Sequence, residues 1–195
     1  MSSAQTVIRF DEVARREETV RLGLWMFLAT VAMLFAAFAS AYIVRRSGSD
    51  WVPINLPSVL WLNTLLLVAS SLALEAAHWS GTHRQAMAAR LALAASLLLA
   101  VGFLAGQVSA WRELMDAKVF MPSSPHSAFF YMLTGAHGLH VVAALGVLAW
   151  ATGQTWTGLG ERDRRRWSAL MGSTRTFWHF LLAIWVFVFL LLSSQ

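Results

Sequence analysis

The chain has 195 residues, 57% of them hydrophobic and 13% charged, with a formal net charge of +5 and no cysteine. That balance excludes an ordinary soluble domain and a disordered segment, and the missing cysteines exclude disulfides, thiolate metal sites and cysteine nucleophiles. Positive charge on so apolar a chain is expected from basic residues gathered in cytoplasmic loops, so no nucleic-acid partner is expected.

In chain order, residues 1–21 mix charges with Val7, Ile8, Phe10 and Val13. They predict a cytoplasmic tail at the membrane surface, helical near its end. No cleavable signal peptide is expected, because the first apolar run starts late and is long enough to span. That run, 22–44, stops at Arg45 and Arg46. A loop broken by Gly48, Pro53 and Pro57 follows. Further spans are predicted over 58–79, 87–111, 127–151 and 172–192, within one transmembrane domain over 22–195. Each is long enough for a hydrocarbon core of about 30 Å. The third and fourth are joined by a loop with Pro122 and Pro125, the fourth and fifth by the basic stretch 161–166. No span repeats another, so no transporter-type internal repeat is expected.

The expected class is all-α: a polytopic membrane protein of five transmembrane helices. With the amino terminus inside, the inner side carries Arg9, Arg15, Arg16, Arg21, Arg84, Arg90, Arg162, Arg164, Arg165, Arg166 and Arg175. The outer side carries Arg45, Arg46, Arg112 and Lys118. The excess of arginine predicts a cytoplasmic amino terminus and a periplasmic carboxyl terminus. Trp51, Trp79, Trp111, Trp150 and Trp167 at span ends fit interfacial belts.

Polar groups inside the spans are the functional candidates, because lipid penalises them unless something meets them. His137 and His140 in the fourth span are three apart and share a face. Gly135, Val142 and Gly146 fall roughly opposite, and with Gly138 they suggest a shallow surface for a neighbouring helix. This helix is expected at the centre of the bundle. Glu75 is the one acid in a predicted span and shares a face with His78. The pair suggests proton handling or a headgroup contact on one side, and a locally paired helix end on the other. A chain with so few acids is a poor proton pump on its own.

Arg175 and His179 lie four apart with Trp178 beside them, suited either to a lipid phosphate or to plain snorkelling. Asn63 and Gln107 suggest bonds between helices, and Ser70 with Ser71 reads the same way. A b-type haem between His140 and His179 is disfavoured by depth, roughly 18 Å against roughly 10 Å from the inner end of their spans. A zinc or copper site at His137 and His140 lacks a third ligand nearby. Phosphate-cradling loops and nucleophile–base–acid sets are absent from the sequence.

Five segments carry a family likeness: Leu22 to Ala29, Leu62-Asn63-Thr64 with Ser70-Ser71, Phe103 to Trp111, Thr134 to Val141, and Phe177-Trp178-His179-Phe180 with Trp185. In order and spacing the chain resembles subunit III of the haem-copper respiratory oxidases, in its five-span form. The resemblance implies a subunit without a cofactor of its own, non-catalytic within an oxidoreductase complex. Haem and copper are expected in the partner subunit I. It implies subunits I and II as partners, bound phospholipid, and a role in stabilising subunit I and sustaining its proton uptake in aerobic respiration. It also implies a multi-pass protein of the bacterial inner membrane. His137, His140, Trp178, His179, Arg175, Glu75 and His78 are then expected to contact lipid or a helix interface.

Two positions depart from the pattern. Val31 stands where the family usually has a carboxylate, and Leu182 where it usually has an aspartate. Other readings are the accessory subunit of a nitric oxide reductase, from the same family, and a small membrane haem protein for electron transfer.

Overall fold

A computed structural model describes residues 3–157 and 164–194, with side chains described over 18–157 and 167–194. Residues 158–163, part of the expected basic loop, lie outside the described residues. The described chain is all-helical: α1 (Ser3–Arg45), α2 (Val59–Thr82), α3 (Ala86–Asp116), α4 (Pro125–Trp156) and α5 (Arg164–Ser193), with a 3-10 turn at Met121–Ser123 before α4. Each α-helix holds a segment long and apolar enough to cross a membrane: Glu18–Arg45, Val59–Thr82, Ala86–Asp116, Pro125–Trp156 and Trp167–Ser193. The protein is a multi-pass membrane protein.

The amino-terminal tail is not a separate element. No glycine or proline interrupts residues 3–21, so the helix runs straight from Ser3 into the first span. The other spans also exceed their apolar cores. α4 starts where Ser124 Oγ accepts the backbone N–H of Ser127 at 3.1 Å, the Ser124 backbone N–H donates in turn to Ser127 Oγ at 3.0 Å, and Pro125 takes the first helical position. The turn between α2 and α3 is tight, with Arg84 at φ 60. This left-handed conformation is strained for a side-chain-bearing residue.

The hairpin of α2 and α3 shows how such helices adhere. In lipid, apolar burial drives little association, so packing and cross-helix hydrogen bonds carry it. Ser70 Oγ donates to the Ser96 carbonyl at 2.8 Å, and Ser96 Oγ donates to the Ser70 carbonyl at 2.9 Å. Further from the α2–α3 turn, Gly106 lets α2 approach closely, whereas Gly102 has room for a side chain. A Cβ on Gly102 would sit 3.7 Å from Leu66, and one on Gly106 only 2.0 Å from the Asn63 amide oxygen.

α4 and α5 share the central position. α5 packs on α1, α2 and α4, while α4 packs on α1, α3 and α5. Trp185 of α5 plugs the middle, with its ring 5.0 Å from Phe103 and 5.1 Å from His137. Its indole N–H donates to Thr64 Oγ1 at 3.0 Å. Outward-facing Leu65, Leu98 and Leu139 are about two-thirds exposed or more, as lipid-facing side chains should be.

Candidate functional site

The sharpest polar constellation joins α2 to α5 in the half of the bundle that holds the α2–α3 turn. Arg175 donates from Nε to Glu75 Oε1 at 2.8 Å and from Nη2 to Oε2 at 2.7 Å, a bidentate fork. His179, one turn further along α5, donates from Nε2 to Glu75 Oε1 at 2.5 Å. Its Nδ1 faces Ser71 Oγ at 2.6 Å, and in the neutral ring it accepts that hydroxyl proton. The ion pair is half-buried, with the Arg175 and Glu75 side chains 29% and 38% exposed.

This geometry changes the reading of Glu75. Its partners lie across the helix interface, and the expected companion His78 keeps a buried Nδ1 with no partner. It also alters the reading of Arg175 and His179 as phosphate holders, since their bonds go to Glu75 and Ser71. Trp178 is buried against the core, its indole nitrogen without a partner.

The two histidines of α4 take different tasks. His137 is fully buried and donates from Nε2 to the Leu181 carbonyl of α5 at 3.1 Å. His140 donates from Nδ1 to the Ala136 carbonyl of its own helix at 2.7 Å, so its Nε2 carries the lone pair. The His140 ring is faced by Phe27 at 6.5 Å and Phe35 at 5.9 Å from α1. His140 and His179 do not form a ligand pair for iron, because both nitrogens of His179 are engaged. Among the described residues no three His, Cys, Asp or Glu side chains gather as a metal site.

Among the described residues, Val142 and Gly146 on the small-residue side of α4 are exposed, whereas Gly138 is buried. A Cβ built on Gly135, Gly138 or Gly146 would meet nothing within 4 Å. α4 is turned so that Leu133, Val141 and Leu148 point into the core, leaving Val142 54% exposed on the other side. Asn63 and Gln107 do lie between helices, both buried.

A half-open apolar groove of about 200 Å³ runs between α1, α4 and α5, lined among others by Leu24, Ala144, Val147, Ser173 and Phe177. Phe177 packs edge-on to Phe27 at 5.6 Å, which links the groove to the His140 cluster.

On the opposite side of the bundle, sequence reasoning missed His126. It is buried, stacks on Trp51 at 4.9 Å, and accepts the Ile54 backbone N–H at Nδ1 over 3.1 Å. Its Nε2 then faces the Tyr42 hydroxyl at 3.4 Å. The signal available in the sequence was its place beside Pro125 at a helix start. The exposed turn nearby is closed by Arg45 and Asp50, and that hydrogen bond holds the Asp50 carboxyl below the usual carboxylate range.

The helix order and the α4–α5 core can be set against known proteins. The family described as Cytochrome c oxidase subunit III matches residues 6–194. The chain belongs to that family. A cytochrome bo(3) ubiquinol oxidase subunit 3 of Pseudomonas aeruginosa is 36% identical over 181 residues, covering 86% of this chain and 80% of the relative. A probable cytochrome c oxidase subunit 3 of Mycobacterium bovis is 28% identical over 180 residues, covering 89% and 87%. The cytochrome c oxidase subunit 3 of Bacillus subtilis is 28% identical over 178 residues, covering 86% and 82%. The chain is therefore a subunit III of a haem-copper terminal oxidase.

Within the family, the two departures acquire a place. Val31 is buried on α1, one turn from Phe27 and one from Phe35, both of which face His140. A carboxylate at position 31 would lie at the level of the His140 ring. Leu182 follows the carbonyl that His137 engages and packs half-buried against the core.

Proposed function

We propose that this subunit III acts as a non-catalytic brace for the haem-copper subunit I, with subunit II in the same complex, in a bacterial inner membrane. Its amino terminus lies in the cytoplasm and its carboxyl terminus in the periplasm. The observation that carries this reading is the use of the intramembrane polar groups. Arg175, His179, Glu75 and Ser71 bind one another across α2 and α5, and His137 ties α4 to α5. Such groups, bonded to one another across helices, stiffen a bundle.

The groove between α1, α4 and α5 takes a phospholipid acyl chain. Its walls are almost wholly apolar, with Ser173 among the lining residues. The open face of α4 around Leu139, Val142 and Gly146 takes a helix of a partner subunit, which small residues favour. Haem and copper belong to subunit I, and support of its proton uptake follows from holding that subunit and its lipid in place.

Purification of the complex in mild detergent, with quantitation of subunits and phospholipid, tests the reading. Co-purification with a haem-copper subunit and retained phospholipid is expected. Assembly and lipid content unaffected by deletion of this chain would count against it.

A further inference from the structure

Asn63 of α2 and Gln107 of α3 are 0% and 2% exposed, and all four of their side-chain amide atoms lack a hydrogen-bond partner. His137 of α4, 0% exposed, has an unpartnered Nδ1 as well. These orphans lie at one level of the bundle. The Asn63 amide oxygen reaches into the space left by the missing Cβ of Gly106, beside Gln107. One turn before Gln107, Phe103 packs on the His137 ring at 5.7 Å. One turn after it, Trp111 donates to Thr134 Oγ1 at 3.1 Å, and Thr134 is itself a turn from His137. Trp185 closes the group, touching the His137 and Phe103 rings and bonding to Thr64 next to Asn63.

The orphaned atoms form a complementary set. The amides supply donors and acceptors together. His137 Nδ1 is an acceptor, because the Nε2 proton is committed to the Leu181 carbonyl. One direct bond between the amides would leave His137 Nδ1 and other amide positions unmet. Buried polar groups in such excess are normally bridged by internal water, which makes two to four hydrogen bonds.

We infer that water is bound inside the bundle among Asn63, Gln107 and His137, as a fixed part of the α2–α3–α4 junction. The site takes a small neutral molecule that both donates and accepts, and its apolar surround of Phe103 and Trp185 separates it from the groove lined by Leu24 and Phe177.

The test is a map of the intact oxidase complex at a resolution that shows ordered solvent. Density within hydrogen-bond distance of Asn63, Gln107 and His137 Nδ1 is expected. A junction with no such density and the two amides bonded directly to each other would overturn the proposal. Infrared spectra of the complex before and after exchange into ¹⁸O water give a second readout. An isotope-shifted buried O–H band is expected, and it should vanish in Asn63→Leu/Gln107→Leu; its persistence there would also overturn the assignment. If that variant fails to assemble, the map of the unaltered complex decides alone.

Discussion

Arg175 and Glu75 are a hundred residues apart in sequence and meet as a two-pronged ion pair, at 2.8 Å and 2.7 Å, that fastens α5 to α2. The lipid side of the pair stays partly open, so its strength lies between that of a surface bridge and a sealed one. Replacing Arg175 by Ala strands the carboxylate and is expected to cost about 1–3 kcal/mol. Arg175→Lys keeps the charge but loses the planar fork, and should fall between the variant and the parent. Thermal unfolding of the detergent-solubilised complex measures both.

The two glycines of α3 should respond oppositely. Gly106→Ala places a methyl 2.0 Å from the Asn63 oxygen and must displace that side chain. The expected loss is about 1–3 kcal/mol, as for overpacked cores. Gly102→Ala meets Leu66 at an ordinary 3.7 Å. It should be neutral or gain up to about 1 kcal/mol from helix propensity. Equal effects of the two substitutions in a stability assay would show that the close approach at Gly106 is not real.

A carboxylate placed at position 31 tests the placement of α1. In Val31→Glu the new acid stands level with His140, whose Nε2 carries a lone pair when neutral. The pair should couple by about 1 kcal/mol in a double-mutant cycle with His140→Leu, read from thermal stability. Additive effects would mean that residue 31 does not reach the imidazole.

The bond between Trp185 and Thr64 is neutral and partly buried. Thr64→Val removes its acceptor with little change of shape and is expected to cost about 0.6 kcal/mol, the usual worth of a hydrogen bond between membrane helices. Trp185→Ala opens the central plug as well and should cost about 3–5 kcal/mol.

These predictions separate what the sequence discloses from what it hides. Long charge-free runs announce the spans, because lipid tolerates little else, and residues 134–141 and 177–180 disclose the family. Pairing across helices is another matter. Spacing along α2 suggests His78 for Glu75, yet the fold supplies Arg175 and His179 from α5. Of the α4 glycines that suggest a packing face, Gly138 is buried and Gly146 is exposed. Gly106 on α3 carried a signal that the α2–α3 approach explains. His126 gave little, because its partners Ile54 and Tyr42 come from distant parts of the chain.

Filling the groove from α4 probes the lipid. Val147→Trp places a large ring among Leu24, Leu170 and Phe177. The complex should then retain less phospholipid while keeping its subunits.

Native mass spectrometry of the complex, released from the membrane in mild detergent, addresses the brace most directly. The chain is expected in one particle with a haem-bearing catalytic subunit and bound phospholipid, and on dissociation the haem should leave with that subunit. A chain that flies alone and carries its own haem would contradict the account.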